Sequence, residues 1–123
     1  NEIIEGKKLF EERNAKKVEA TKSLHILFGE IWDEREDEAG NCYCFESGRI
    51  LPGYKYRGNT CCYDHVLEKN DQAYPEYAMV KKNIIIVDPL IHQQKGIDID
   101  KCPKIKVYRD YLLSLHEKDE LKD

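Results

Sequence analysis

The sequence predicts an α+β fold in a single domain, and three features of the pattern support it. Residues 2 to about 38 have the apolar spacing of a helix, with no interrupting proline. Ile84–Val87 is a run of four β-branched residues, which is typical of a buried strand. Residues 104–117 return to helical spacing. A chain of 123 residues is long enough for one modest core.

The N-terminal segment, residues 1–40, is expected to be helical. Thr21 or Ser23 can cap a second helix, so the pattern leaves one long helix or two helices open. Gly40-Asn41 is expected to end the helical region after an acidic run. The strongest apolar stripe, at i, i+3, i+4, i+7 and i+8, is expected to face the core and consists of Leu24, Leu27, Phe28, Ile31 and Trp32. The alternative is that these N-terminal helices bind a second copy of the chain, as a homodimer, or another protein partner.

The middle segment, residues 41–100, contains the β-favouring stretches. Thr60–Tyr63 is the first of them and Ile84–Val87 the second. Before them, Pro52–Asn59 combines turn residues, aromatics and positive charge, and it is interpreted as either a surface hairpin or a loop that contacts nucleic acid. After the second run, Asp88-Pro89 predicts the start of a short helix, with Asp as N-cap and Pro at the first helical position.

The C-terminal segment, residues 101–123, is assigned to a last helix centred on residues 104–117. Its inward face is expected to consist of Val107, Tyr108, Tyr111, Leu112 and Leu115.

Four polar residues lie beside the predicted elements of the middle segment. Asp64 and His65 follow the first β-favouring run. Asn83 directly precedes the second run, 18 residues after His65, and His92 follows 9 residues later in the short helix. This order and these separations resemble the HNH nuclease motif. The resemblance covers residues 42–96 and implies a ββα-metal core flanked by the N-terminal helical segment and the C-terminal helix.

The resemblance also implies a role for each of the four residues. His65 would be the general base that activates water, while Asp64 and His92 would hold a divalent metal ion. Asn83 would fix the loop through side-chain hydrogen bonds, so that the His65 ring points at the phosphate. Phosphodiester hydrolysis needs such a base together with a cation that neutralises charge on the phosphate. One carboxylate and one imidazole suit Mg²⁺ or Mn²⁺, although imidazole also favours Zn²⁺ or Ni²⁺.

Three basic residues are predicted to contact the DNA. Lys95, three residues after His92, matches a position where HNH proteins commonly carry a phosphate-binding basic residue. Lys55 and Arg57 lie in the aromatic loop before the first β-favouring run. The net charge of the whole chain is −4, but residues 41–110 carry 11 basic and 9 acidic side chains, a balance of +2. The site therefore lies in a net-basic segment, which is weak support for a phosphate-binding surface.

The chain departs from the HNH pattern at the zinc knuckle that many members carry. Cys44 begins a Cys-x-x-Cys-Gly-x-x-Leu pattern, but Ser47 replaces the second cysteine. The second Cys-x-x-Cys pair falls at Asp88 and Ile91, so four closed ligands are not available there. We expect a variant without this zinc, with the turn held by Gly48 and hydrogen bonds. The alternative is a substitute thiol site drawn from Cys42, Cys44, Cys61, Cys62 and Cys102.

Composition bounds the cellular setting. Five cysteines are an odd number in a Lys- and Glu-rich chain, so reduced thiols in an intracellular, cytoplasmic protein are expected. No apolar run approaches the length of a membrane span, and no membrane association is expected.

Three functions compete at this level. The leading hypothesis is a metal-dependent HNH endonuclease that hydrolyses DNA phosphodiester bonds. The runner-up is a non-catalytic HNH-like module that binds nucleic acid or a protein, which the acidic N-terminal segment favours. The third is a small thiol-metal protein that uses the five cysteines.

Overall fold

The computed structural model of the chain describes residues 2–68 and 73–122, and within α1 the side chains of residues 2–6 and 10 are not described. The described part is α+β, as predicted, with helices and two small antiparallel sheets. The elements in chain order are α1 (Glu2–Arg35), β1 (Cys42–Tyr43), β2 (Ile50–Leu51), α2 (Gly53–Tyr56), β3 (Tyr63–His65), β4 (Ile84–Ile86), α3 (Pro89–Ile97) and α4 (Pro103–Glu117).

The N-terminal region is one continuous helix of 34 residues rather than two. From Lys7 to Ser23 its described side chains are exposed, whereas the stripe Leu24–Trp32 is buried at its inward positions in the core of the same chain. The stripe is therefore covered by the chain itself and is not a free surface for a homodimer or protein partner.

The end of α1 comes at Arg35, five residues before the predicted stop at Gly40. The acidic residues that follow form a turn of their own. Asp37 Oδ1 accepts hydrogen bonds from the backbone N–H groups of Ala39 (2.9 Å) and Asn41 (3.0 Å). Such local carboxylate–backbone bonds compete with helix continuation, which explains the early end.

The segment Pro52–Asn59 is not a hairpin, because it contains the short helix α2. The chain approaches itself closely here: a Cβ added to Gly53 would lie 2.3 Å from the carbonyl oxygen of Gly40. The same carbonyl accepts a hydrogen bond from Trp32 Nε1 at 3.2 Å. A glycine at position 53 thus lets α2 pack against the turn after α1.

The strands β3 and β4 pair antiparallel, with Asp64 opposite Ile85. The run Thr60–Cys62, predicted as strand, is a 3₁₀ turn, so β3 begins only at Tyr63. Successive strand residues point to opposite faces. The rings of Tyr63 and His65 both contact Phe28 of α1, whereas Asp64 faces α3. The strand pair therefore lies between α1 and α3.

The helix α3 begins as predicted, with Asp88 Oδ1 accepting a hydrogen bond from the N–H of Leu90 at 2.9 Å. It continues through Gly96 to Ile97 instead of stopping at the glycine. The following 3₁₀ turn, Ile99–Lys101, has its own N-cap in Asp98, so the capping residue comes two positions after the glycine.

The inward face of α4 is rotated from the predicted one. Ile105 and Leu112 are fully buried, and Tyr108 and Leu115 are partly buried. Val107 and Tyr111 were predicted to face inward but are 69% and 48% exposed. The prediction omitted Ile105, and including it shifts the apolar centre of the helix to the i, i+3, i+7 positions of that residue. Among the described residues, no helix has the length and apolar character needed to cross a membrane.

The five thiols differ sharply in accessibility. Cys42, Cys44, Cys62 and Cys102 are buried and only Cys61 is exposed, and none of the five is in a disulfide. Burial raises the pKa of Cys42 to about 11 and that of Cys62 to about 12, and it also raises the pKa of Cys102.

These thiols give a test of the fold. At about pH 8 we expect iodoacetamide to modify one thiol per folded chain, that of Cys61, because buried protonated thiols react slowly. Mass spectrometry should show a single rapid addition in the wild type and none in Cys61→Ser, with all five thiols reacting after unfolding. Rapid addition of two or more groups to the folded chain would contradict the arrangement.

Candidate active site

The centre of the site is a contact between β3 and α3. His92 Nδ1 lies 2.9 Å from Asp64 Oδ1, and the side chain of Asp64 is only 4% exposed whereas that of His92 is 40% exposed. The Asp88 cap places His92 on the first full turn of α3, where its backbone N–H bonds the carbonyl oxygen of Asp88 at 3.0 Å. A buried carboxylate is thus presented next to an imidazole that solvent can reach.

Lys95 takes the other oxygen of the same carboxylate. Its Nζ lies 2.9 Å from Asp64 Oδ2 and donates a hydrogen bond to the carbonyl oxygen of His65 at 2.8 Å. The contact with Oδ2 is an ion pair without hydrogen-bond alignment, since Oδ2 is buried and makes no hydrogen bond of acceptable angle. The side chain of Lys95 is 9% exposed, and its ammonium contacts the protein's own groups. The phosphate contact predicted for Lys95 stays a prediction.

His65 is the next residue along β3, and its half-buried ring contacts both the loop after β3 and α1. Nε2 lies 2.8 Å from the carbonyl oxygen of Ala78, and the ring centre lies 6.1 Å from that of Phe28, at a tilt of 57°. A carbonyl oxygen only accepts hydrogen bonds, so Nε2 carries the hydrogen. In the neutral ring the lone pair is then on Nδ1.

Asn83 is fully buried and uses its side-chain amide to hold the loop after β3. Its Oδ1 accepts from the N–H of Leu67 at 2.7 Å. Its Nδ2 donates to the carbonyl oxygens of Leu67 at 2.9 Å and Tyr77 at 3.2 Å. The amide therefore joins the chain just after His65 to the turn that receives the His65 ring. This geometry matches the loop-fixing role predicted for Asn83.

Two residues of the flanking helices hold the backbone around Asn83. Arg35, at the end of α1, donates to the carbonyl oxygens of Ile84 at 2.7 Å and Lys81 at 3.0 Å. Tyr108 of α4 donates to that of Lys82 at 2.6 Å. The sequence did not predict these roles of Arg35 and Tyr108, nor the contact of Phe28 with His65. Arg35 lies within an acidic run that is typical of a solvated helix end, so no local signal indicates its role.

The other two residues predicted to contact DNA lie on or next to α2. Arg57 forms a bidentate ion pair with Asp33 of α1, with both contacts at 3.0 Å. The hydrogen bonds from Arg57 lower the pKa of Asp33, and those to Asp33 raise the pKa of Arg57. Lys55 Nζ lies 5.2 Å from the ring centre of Tyr56. Asp64, His65, Asn83, His92 and Lys95 are thus brought together, whereas Arg57 lies beside Asp33 and Lys55 beside Tyr56.

The two segments that contain the knuckle positions are joined by an ion pair. Arg49 Nη1 lies 2.5 Å from Asp88 Oδ2 and so connects the end of the β1–β2 turn to the cap of α3. Gly48, at φ +74°, closes that turn, and its N–H bonds the carbonyl oxygen of Cys44 at 2.8 Å. Within residues 2–68 and 73–122, no three His, Cys, Asp or Glu side chains converge as a metal-binding group, and this includes the cysteines of the thiol-site alternative.

Asp64 Oδ1 and His92 Nδ1 lie 2.9 Å apart, which is the distance of an ordinary hydrogen bond between them. A carboxylate and an imidazole are also ligand types for a divalent cation, so a cation bound here would replace this hydrogen bond. Mg²⁺ is commonly held by one or two protein groups and otherwise by water and phosphate oxygens, so two ligands suffice.

Comparison of the chain with protein-family models, with curated proteins and with solved structures found no match. The resemblance to HNH nucleases therefore depends on the motif residues themselves and on where the fold places them.

The hydrogen bonds of Asn83 give a measurable stability effect. Asn83→Ala leaves the amide and carbonyl of Leu67 and the carbonyl of Tyr77 without their partner in a buried setting. We expect a loss of about 2–4 kcal/mol in the free energy of unfolding, measured by urea denaturation. Asn14→Ala, at an exposed position of α1, is the matched control and should change stability by less than about 0.5 kcal/mol. Equal stability of the two variants would contradict the assignment.

Proposed function

We propose that this chain is a metal-dependent endonuclease of the HNH type that hydrolyses phosphodiester bonds in DNA. The observation that supports this most strongly is the placement of the Asp64–His92 pair directly beside His65. A carboxylate and an imidazole that contact each other are both ligand types for a divalent cation, and the next residue on the strand carries a second imidazole. These are the two components that phosphodiester hydrolysis requires.

His65 acts as the general base in this proposal. Its Nε2 hydrogen is directed to the carbonyl oxygen of Ala78, so the proton of the attacking water goes to Nδ1. The ring is stiffened by its contact with Phe28, which limits the orientations that Nδ1 can adopt. A base held in one orientation has its lone pair directed to one position of the attacking water, and it loses less conformational entropy when the substrate binds.

Asp64 and His92 would hold the cation, which would supply positive charge to the phosphate and to the leaving oxygen. Lys95 keeps the carboxylate of Asp64 fixed through Oδ2, so that Oδ1 remains directed to His92. Mg²⁺ or Mn²⁺ fits a pair with one carboxylate and open positions for water and phosphate. Zn²⁺ and Ni²⁺ are the alternatives that the imidazole favours.

A second candidate function is a non-catalytic HNH-like module that binds nucleic acid or a protein. The observation that favours it is the use of cations within the chain. Lys95 neutralises Asp64 internally, and Arg57 is paired with Asp33. DNA binding depends on phosphate contacts that release counterions, so the internal pairing of these two side chains favours the form of this module that binds a protein.

The two candidates are separated by a cleavage assay on supercoiled plasmid with Mg²⁺, Mn²⁺, Zn²⁺ or Ni²⁺ supplied one at a time. We expect nicked or linear products with at least one metal, a loss of activity in chelator, and a decrease of at least about 100-fold in His65→Ala. His25→Ala, at an exposed histidine of α1, is the matched control and should retain wild-type activity.

Circular dichroism shows whether each variant remains folded. Cleavage by folded His65→Ala at the wild-type rate would refute the role of His65. Salt-dependent DNA binding without cleavage under any of the four metals would favour the non-catalytic module.

A further inference from the structure

The two side chains that organise the site both end at one short turn. Asn83 Nδ2 donates to the carbonyl oxygen of Tyr77, and His65 Nε2 donates to that of the next residue, Ala78. These carbonyls belong to and directly follow the 3₁₀ turn Pro75–Tyr77. The position of this turn therefore sets where the His65 ring is held.

The backbone of this turn supplies little rigidity of its own. The N–H of Ala78 bonds the carbonyl oxygen of Pro75 at 3.2 Å, and the N–H of Val80 bonds that of Tyr77 at 3.2 Å, both at the upper end of the normal range. Isolated 3₁₀ turns have poorer hydrogen-bond geometry than α-helices. A side-chain contact from outside the turn would therefore contribute much to its position.

Such a contact comes from the last turn of α4. The hydroxyl of Tyr77 lies 2.5 Å from His116 Nδ1, and the two rings meet edge to face with centres 5.5 Å apart. Tyr74 makes a second edge contact with His116 at 5.3 Å. Burial, with a smaller effect of Glu76, raises the pKa of Tyr77, so its hydroxyl is protonated at neutral pH and can donate to the imidazole.

We propose that Tyr77 and His116 are positioning residues for the general base. Their hydrogen bond connects the turn to α4 and fixes the position of the turn. The carbonyl oxygen of Ala78 then keeps the hydrogen of His65 on Nε2 and leaves the lone pair on Nδ1. The catalytic part of this inference rests on the proposed function, in which His65 is the general base. The tautomer of His65 is a property of the folded chain and can be measured without DNA or metal.

The sharpest variant is Tyr77→Phe, which deletes only the hydroxyl and keeps the ring contacts. His116→Phe is the complementary variant, because it keeps an aromatic ring on α4 and removes Nδ1. Tyr111→Phe is the matched control, since it deletes an exposed hydroxyl from the same helix.

The first measurement is the ¹⁵N NMR shifts of the imidazole nitrogens in the full-length, metal-free chain, at a pH above the ordinary histidine range. The signals of His65 are assigned by their loss in His65→Ala. We expect a single tautomer with hydrogen on Nε2 in the wild type and Tyr111→Phe. In Tyr77→Phe and His116→Phe we expect a mixture of both tautomers, because Ala78 is no longer held in place.

The second measurement is plasmid cleavage. We expect kcat to fall about tenfold in Tyr77→Phe and His116→Phe with KM unchanged, because a displaced base slows chemistry without altering DNA binding. A single Nε2 tautomer in either folded variant, or a wild-type kcat in both, would overturn the proposal. If the wild type does not cleave DNA, the proposed function fails, and the tautomers alone then decide whether the pair positions His65.

Discussion

The buried carboxylate of Asp64 is the constraint on which the centre of this molecule depends. A charge with 4% of its side chain exposed requires compensation, and both compensating groups come from one helix. His92 and Lys95 are three residues apart and so lie on the same face of α3. Because one carboxylate receives both, the rotation of α3 relative to β3 is fixed. Removing one partner of such a pair typically costs about 3–5 kcal/mol.

The strand that carries Asp64 is short, and its stability must come from the elements on either side. A two-stranded pair of three-residue strands is marginal by itself. On the face opposite α3, the Phe28 ring stacks on Tyr63 with centres 4.4 Å apart, within a stripe of five buried residues of α1. Burial of such a stripe contributes about 10 kcal/mol before entropy costs. Arg49 is about half exposed, so its ion pair with Asp88 is screened by solvent and contributes far less.

Because apolar burial against α1 contributes more than the Arg49–Asp88 ion pair, the site can be held without the ligands of a zinc knuckle. The flanking helices, which the HNH resemblance does not cover, supply the apolar contacts of α1 and the backbone hydrogen bonds of Arg35 and Tyr108. The same helices also reach the candidate base, since Phe28 contacts its ring and His116 holds the turn that receives it. The helices and the site are therefore one structural unit.

The sequence predicted those parts of the fold that depend on local pattern. The buried stripe of α1, the strand beginning at Ile84 and the Asp88 cap are short-range signals, and all three occur in the structure. The long-range contacts were not predicted. The Lys95 ammonium contacts a carboxylate 31 residues earlier, and Arg57 pairs with a carboxylate 24 residues earlier. Neither ion pair can be predicted from the residues next to it in the sequence. The DNA contacts of Lys95 and Arg57 stay predictions.

The central claim is that Asp64 and His92 bind a divalent cation beside His65, and a titration of the folded chain with Mn²⁺ tests it most directly. Calorimetry should show one ion bound per chain in the wild type and in His25→Ala. His92→Ala, which removes a ligand that is 40% exposed, should remain folded and lose this binding. Equal Mn²⁺ binding by all three proteins, or no binding by the wild type, would contradict the account.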